Sequence, residues 1–384
     1  TPRATSARKR RAREGVASGR RPRDNAPTVA SPCAAAPPFH PMTHAPGRAG
    51  LALPALRTPN AAPAPHDGMH PTMSAPSEFQ VDVPSSTSNL GPGFDCLGLA
   101  FRLHNRFHVA LADADSIAFE GPEAAPLAAA TPPTGPDNLF HQSVQFLFAR
   151  LGREVPPIAV TCTARVPNAR GLGSSSTAVV GGLVAANVLA GEPYNRAALL
   201  DLAGEIEGHP DNVAPALMGG LTAAIMGENN RVILARHQPH ETVGFVVLVP
   251  DYEVPTEHAR RMLPASVPLR DAVANLSRLP LLVQALVQGR FHYLRELTSD
   301  RLHEPHRMPL YREFEALKAA GFAAGAAAVT LSGAGPTMLA IAPADHAAAI
   351  VDAWSAAARE IGVNAVVRPL EPEAVGARTM IIKG

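Results

Sequence analysis

Two short stretches of this chain place oxygen and amide groups at spacings suited to phosphate chemistry. In Val166-Pro-Asn-Ala-Arg-Gly-Leu-Gly-Ser-Ser-Ser-Thr177, glycines alternate with other residues and then give way to three serines. Gly171 and Gly173 leave backbone N–H groups open to close approach. The serines sit where a helix would begin, so unpaired amides and the positive end of a helix dipole converge there. That favours an anion, although an ordinary strand-to-helix turn with a serine N-cap has the same composition. The loop is neither a Walker A sequence, since no lysine lies between Ala164 and Asn187, nor a dinucleotide fingerprint, since Ser176 stands where a third glycine is needed. The second stretch, Glu205-Ile-Glu-Gly-His-Pro-Asp-Asn212, crowds five polar groups before an apolar run. A carboxylate there could hold a divalent cation beside bound phosphates, because Mg²⁺ takes few protein oxygens and completes its shell elsewhere. A solvated helix end is the alternative.

The elements that would carry these groups follow from periodicity. Ile158, Val160, Cys162, Ala164 and Val166 alternate with polar residues, as in a half-buried strand. Residues 178–189 are apolar nearly all round, as in a buried helix, with Gly191 as its stop. Upstream, Phe79–Pro84 predicts a short strand and 85–100 a polar, glycine-rich loop that holds Asn89 and Asp95 before the chain returns to a sheet at 107–111. Residues 124–136 predict a loop. A helix then opens at Asp137 or Asn138, either of which could serve as its N-cap, and runs through Arg150. Further helices are expected at 196–207, 255–264, from Asn275 as a long apolar helix through Leu286, and 345–361. Further strands are expected at 243–249 and 365–370, with a strand, glycine turn and strand over 328–342. Thr256 and Arg260, four residues apart, share a helix face.

Pro167-x-x-x-Gly-Leu-Gly-Ser-Ser resembles the central phosphate loop of the GHMP kinases, the galactokinase, homoserine, mevalonate and phosphomevalonate kinase superfamily. Asn89-Leu-Gly-x-Gly-Phe-Asp95 and Glu205-x-Glu-Gly-His-Pro-Asp-Asn-Val-Ala-Pro215 are similar to the wording of its homoserine kinase branch. Leu331-Ser-Gly-Ala-Gly-Pro-Thr337 resembles its third motif, a support for the phosphate loop. The resemblance spans about Phe79 to the C-terminus. It implies an α+β, two-domain GHMP kinase fold: an N-terminal kinase domain with a mixed sheet, a ferredoxin-like C-terminal domain, and a cleft between them. It implies ATP and Mg²⁺ as cofactors and L-homoserine as the small-molecule substrate in a step toward threonine. Pro167, Arg170, Gly171, Leu172, Gly173, Ser174, Ser175, Ser176 and Thr177 would then bind nucleotide, with Asn138 near its base and ribose. Ser175 and Glu205 would hold the metal. Asn89 and Asp95 would hold the amino-acid end of the substrate, with His209 nearby. Thr256, Arg260 and Arg307 would bind its carboxylate and the transferring phosphate, a task suited to the planar guanidinium. Arg260 would also act in catalysis with Asn212, which orients the hydroxyl, while Asp211 occupies the place where several relatives carry a catalytic base. Whether it acts as one stays open. A homodimer is a further expectation from relatives. The rivals are another superfamily kinase acting on mevalonate or a similar alcohol, and a non-catalytic binder of the same fold.

Charge separates the chain's beginning from its body. Residues 1–72 hold ten Arg and Lys9 against Glu14, Asp24 and Asp67. Of 34 basic and 33 acidic residues overall, 23 and 30 remain, so a net of +8 in the first part faces −7 in the rest. This Pro/Ala/Arg-rich extension lacks periodicity and the apolar surface to fold alone. Arg3, Arg8-Lys9-Arg10-Arg11 and Arg13 would suit nucleic-acid contact or an organelle transit segment; the favoured expectation is that translation begins at Met73 or Met69 and the extension lies outside the working protein. Residues 73–240 are expected to form the ATP-binding domain and 241–384 the C-terminal one. No segment reads as a signal peptide, and no apolar run reaches the ~18–20 residues of a membrane span. Three cysteines without metal spacing fit a reducing compartment, so the cytoplasm is expected. No basic groove with interleaved aromatics suggests nucleic-acid binding.

Overall fold

The computed structural model describes residues 76–125 and 138–384. The expected extension at 1–72, most of the 124–136 loop and Asp137 lie outside the described residues.

A long hairpin founds the first sheet. β1 (Glu78–Asn89) runs antiparallel to β2 (Gly93–Leu111), from Glu78 opposite Ala110 to Asn89 opposite Gly93. The short strand expected at Phe79–Pro84 is therefore twice that length, and Ser85–Ser88 belong to it rather than to a loop. They are buried, and the hydroxyls of Ser86, Thr87 and Ser88 find partners in neighbouring motifs, which removes the usual penalty on those polar groups inside a sheet. β3 (Ser116–Glu120) lies parallel to β4 (Ile158–Thr163), while β4 is antiparallel to β2, which makes the sheet mixed. β5 (Leu221–Met226) and β6 (Val232–His237) extend it from the far end of β2. Helices α1 (Leu139–Leu151), α2 (Ser174–Leu189), α3 (Arg196–Glu207) and α4 (Val213–Met218) cover it. Phe79, Val81, Val83, Phe107 and Val160 of the strands meet Phe140, Leu147, Val180 and Leu183 of the helices in its core.

The second sheet starts with β7 (Val243–Pro250), whose unbroken apolar run reflects burial on both faces. Val243, Phe245, Val247 and Val249 point into a core shared with Leu97, Leu99, Phe101 and Leu172 of the first half. Val246 and Leu248 point the other way, toward Phe314, Leu317 and Trp354. α5 (Thr256–Arg261), α6 (Leu269–Gln288), α7 (Leu294–Leu297), α8 (Glu304–Arg307) and α9 (Phe314–Ala323) follow before β8 (Ala328–Leu331), β9 (Met338–Pro343), α10 (Ala347–Glu360) and β10 (Ala365–Leu370). The strand order β10-β7-β9-β8, all antiparallel, is the ferredoxin-like arrangement. β11 (Arg378–Lys383) then returns to pair with β1. α6 is not the wholly apolar helix expected. It begins six residues before Asn275, buries Asn275, Leu282, Ala285 and Leu286, and exposes Leu269, Val273, Leu276 and Leu281.

Candidate active site

The Gly171–Ser176 loop joins β4 to α2, and every carbonyl from Ala169 to Leu172 is tied back into the body. They accept, in order, from Val254 N (3.2 Å), Thr337 N (3.3 Å), Ser332 Oγ (2.6 Å) and Ser86 N (3.1 Å). With the carbonyls turned inward, the amides face out. Among the described residues no backbone N–H from Gly171 to Ser176 donates to a protein group; the first helical bond is Thr177 N to Gly173 O. Gly173, with φ +71°, caps α2 without a side chain, so the serine N-cap alternative does not hold. A Cβ on Gly173 would stand 2.2 Å from Ser86 Oγ, and one on Gly171 2.2 Å from Ser332 O. The loop is thus pressed against β1 and the third motif at the two points where only glycine fits. Ser175 is exposed at the mouth, while Ser174, Ser176 and Thr177 are buried.

Not all loop residues face that mouth. Leu172 is a core side chain and Pro167 is buried. The Arg170 guanidinium is held by Asp251 O (3.2 Å) and Glu123 (3.5 Å). Asn138, expected near the nucleotide, is buried and caps α1 by accepting from Phe140 N at 2.8 Å. A residue with no motif around it anchors the loop: Asn105 of β2 accepts from Arg165 N and Val166 N and donates to Thr177 Oγ1, each at 2.9 Å.

Glu205, expected as the metal ligand, is ion-paired with Arg150 of α1. Glu207 faces the phosphate loop, with Ser176 Oγ donating to its Oε1 at 3.3 Å. Residues two apart on a helix project about 200° apart, so only one of this pair can point at the start of α2. Glu207 is half-buried and has no cationic partner within 4 Å among the described residues. Burial raises its pKa, against the pull of His209. A carboxylate and serine hydroxyls at a helix N-terminus form a hard-oxygen donor set of the type Mg²⁺ prefers.

Asn212 connects the loop to the rest of the cleft. Its Oδ1 accepts from Ser86 Oγ (3.0 Å) and its Nδ2 donates to Ser88 Oγ (2.9 Å) and Asp211 Oδ1 (3.3 Å). Asp211 is buried and pairs with His209 Nδ1 at 2.6 Å. Burial opposes ionisation of this pair, but each partner outweighs it: Asp211 is held below the usual carboxylate range and His209 above the usual imidazole range. A carboxylate so firmly ionised is a weak base. Oxygens of Asp95 and Asp211 and a His209 nitrogen lie within 4.8 Å of one another.

Asp95 in turn receives a bidentate pair from Arg260, Nη2 to Oδ1 at 2.7 Å and Nη1 to Oδ2 at 3.0 Å. Asn89 positions that turn: its Oδ1 accepts from Asp95 N (3.1 Å) and its Nδ2 donates to Gly333 O (2.9 Å). Arg307, almost fully buried, donates to the same Gly333 carbonyl at 3.1 Å. Phe94 lies beneath both guanidinium groups, 5.6 Å from Arg260 and 5.4 Å from Arg307. Burial lowers the proton affinity of Arg307, which has no carboxylate partner among the described residues. Thr256 is exposed at the start of α5, one turn before Arg260. The cleft thus holds an anion-ready loop, a carboxylate and two guanidinium groups, joined through Asn212 and Asp211.

Among the described residues no helix is long and apolar enough to cross a membrane. The description "GHMP kinases N terminal domain" matches residues 138–220 and "GHMP kinases C terminal" residues 282–360. A homoserine kinase of Trichormus variabilis is 43% identical over 305 residues, covering 79% of this chain and all of that protein. One from a Synechococcus strain is 44% identical over 287 residues, covering 72% of this chain and 89% of its own length. Of solved structures, homoserine kinase from Cytophaga hutchinsonii superposes with a TM-score of 0.71 at 26% identity, over 80% of this chain and 99% of that one. L. major mevalonate kinase shares the fold, with a TM-score of 0.59 at 16% identity over 78% of this chain and 99% of its own. The chain belongs to the homoserine kinase family, within the ATP-dependent GHMP kinases.

Proposed function

We propose that the chain transfers the γ-phosphate of Mg·ATP to the side-chain hydroxyl of L-homoserine, giving O-phospho-L-homoserine on the route to threonine. The observation that carries this reading is the Asp95–Arg260 pair. It offers a carboxylate and a guanidinium side by side in the cleft, the complement of an ammonium and a carboxylate on one small molecule. A zwitterion that breaks the pair supplies each partner with a replacement. An alcohol carrying one charge or none leaves a half-buried charge without a partner.

The amides from Gly171 to Ser176 would cradle the nucleotide phosphates, aided by the α2 dipole. Glu207, with the hydroxyl of Ser175 or Ser176, would hold Mg²⁺; Glu205 would not. The bound cation supplies charge neutralisation on the phosphates. Arg260 and Arg307 offset charge on the transferring group and the substrate carboxylate. As the bond from the γ-phosphorus to the alcohol oxygen forms, the bond to the β–γ bridging oxygen breaks, and the hydroxyl proton passes to an oxygen of the transferred phosphoryl group and on to solvent. In a loose transition state the nucleophile forms little bond early, so a strong base is not required. Asp211 therefore serves by fixing His209 and Asn212, and Asn212 by orienting the hydroxyl.

The test compares kcat/KM for L-homoserine, 4-hydroxybutanoate and 3-aminopropan-1-ol at fixed Mg·ATP. The two analogues, each lacking one charge, are expected to fall by on the order of 10²- to 10⁴-fold, as sites built to pair a polar group reject its absence. Equal turnover of all three would refute the zwitterion reading.

A further inference from the structure

His303 caps the start of α8 and is completely buried, yet no role in the chemistry above requires it. Its ring bridges two parts of the cleft. Nε2 lies 2.8 Å from the carbonyl of Gly91, in the turn between Asn89 and Asp95. Nδ1 lies 3.2 Å from Nη1 of Arg307. The face of the ring stacks on Phe94 at 5.3 Å between centroids, the same ring that underlies both guanidinium groups.

The chemistry of these partners fixes the ring's state. A carbonyl only accepts, so Nε2 must carry the proton. A guanidinium only donates, so Nδ1 must present its lone pair. The ring is therefore neutral and in one tautomer. Burial, which depresses its proton affinity, and the nearby Arg307 cation favour that state against the charges of Asp300 and Asp95. Asp300 stands 3.7 Å from Nε2, but its Oδ2 already accepts from His303 N (2.8 Å) and Glu304 N (2.7 Å).

We infer that His303 is a positioning residue that couples the substrate turn to Arg307, aiming the guanidinium at the anionic end of the bound amino acid while leaving nucleotide binding alone. The inference rests on the homoserine reading. Without the ring, Arg307 would keep its contacts to Gly333 O and Ala259 O (3.4 Å) but lose the one that ties it to the turn. Glutamine can reproduce both contacts, since its amide NH₂ donates and its Oε1 accepts. Leucine reproduces neither.

Steady-state kinetics of wild type, His303→Gln and His303→Leu test this, with homoserine and ATP varied separately. His303→Leu is expected to raise KM for homoserine by on the order of 10- to 100-fold with KM for ATP within about twofold, the size of effect seen when a supporting partner is lost. His303→Gln is expected to recover most of that loss. Parallel rises in both KM values, or a glutamine variant no better than leucine, would overturn the inference. Long-range ¹H–¹⁵N spectra of the wild-type histidines provide a check that needs no folded variant. They should show a neutral ring protonated at Nε2, and a charged ring or the Nδ1–H form would also overturn it. Absence of homoserine turnover in the wild type would instead remove the substrate reading, and the tautomer would still decide whether the coupling exists.

Discussion

Glu205 and Glu207 show how much one residue's direction decides. Both lie in the same polar run, both could serve a cation, and residue type alone cannot separate them. Their separation depends on the rotational phase of α3, which is set by packing of Leu199, Leu202 and Ala203 against the first core. Glu207→Gln is expected to lower kcat by on the order of 10²- to 10³-fold, because it weakens the hold on the cation that neutralises the phosphates. Glu205→Gln should stay within about threefold in kcat and cost about 1 kcal/mol or less in stability, because its pair with Arg150 is partly solvated. Kinetics across a Mg²⁺ titration and thermal unfolding would check both, and the opposite ranking would return the metal to Glu205. Asp95, His209 and Asn212 were legible because polar residues crowd glycine-rich segments, whereas Arg260 was singled out only by the resemblance. Asn105 and His303 were not legible. A single buried polar residue in a strand or short helix looks, in sequence, like an exposed one.

Elements were legible where periodicity was strong and misjudged where composition imitates something else. α3 falls at Arg196–Glu207 as its pattern predicts, and β7 and β10 fall within a residue of expectation. Ser85–Ser88 has the composition of a turn, and the partners that Ser86, Thr87 and Ser88 find in other motifs let it run on as strand. The third motif reads as a hairpin, yet its turn is where Asn89, Arg307 and Ser332 converge. α8 carries a pH-sensitive support of that turn. Glu304 accepts from Leu331 N at 2.7 Å, and burial pushes its pKa up to about 7 from 4.5. The folded state therefore holds an extra proton between those values, and stability declines as pH rises from about 4.5 to about 7, by about 3 kcal/mol. Glu304→Gln keeps the acceptor and removes the charge. Its unfolding free energy is expected to match wild type near pH 4.5 and to exceed it at pH 8. Parallel curves across that range would show that the carboxyl does not carry the shift.

The molecule as a whole depends on long-range closure that no local pattern announces. The α+β class and the ferredoxin-like domain were expected from the resemblance, and the strands over 243–370 pair in that order. The return of β11 to the edge of β1 was not expected, because Arg378–Lys383 is exposed throughout and has no alternation that demands a partner. The shared core of Leu97, Phe101 and Leu172 with Phe245 and Leu339 joins the two sheets and fixes the cleft that brings Asp95 to Arg260. Those two residues are separated by 165 positions, so the substrate site exists only once both halves are packed. The most direct test is an ADP-release assay with purified protein and Mg·ATP, offering L-homoserine, L-threonine, mevalonate and galactose at equal concentrations. Strong preference for homoserine, abolished by Asp95→Ala, is the expected result. Preference for mevalonate or galactose, or homoserine turnover that survives Asp95→Ala unchanged, would contradict the assignment.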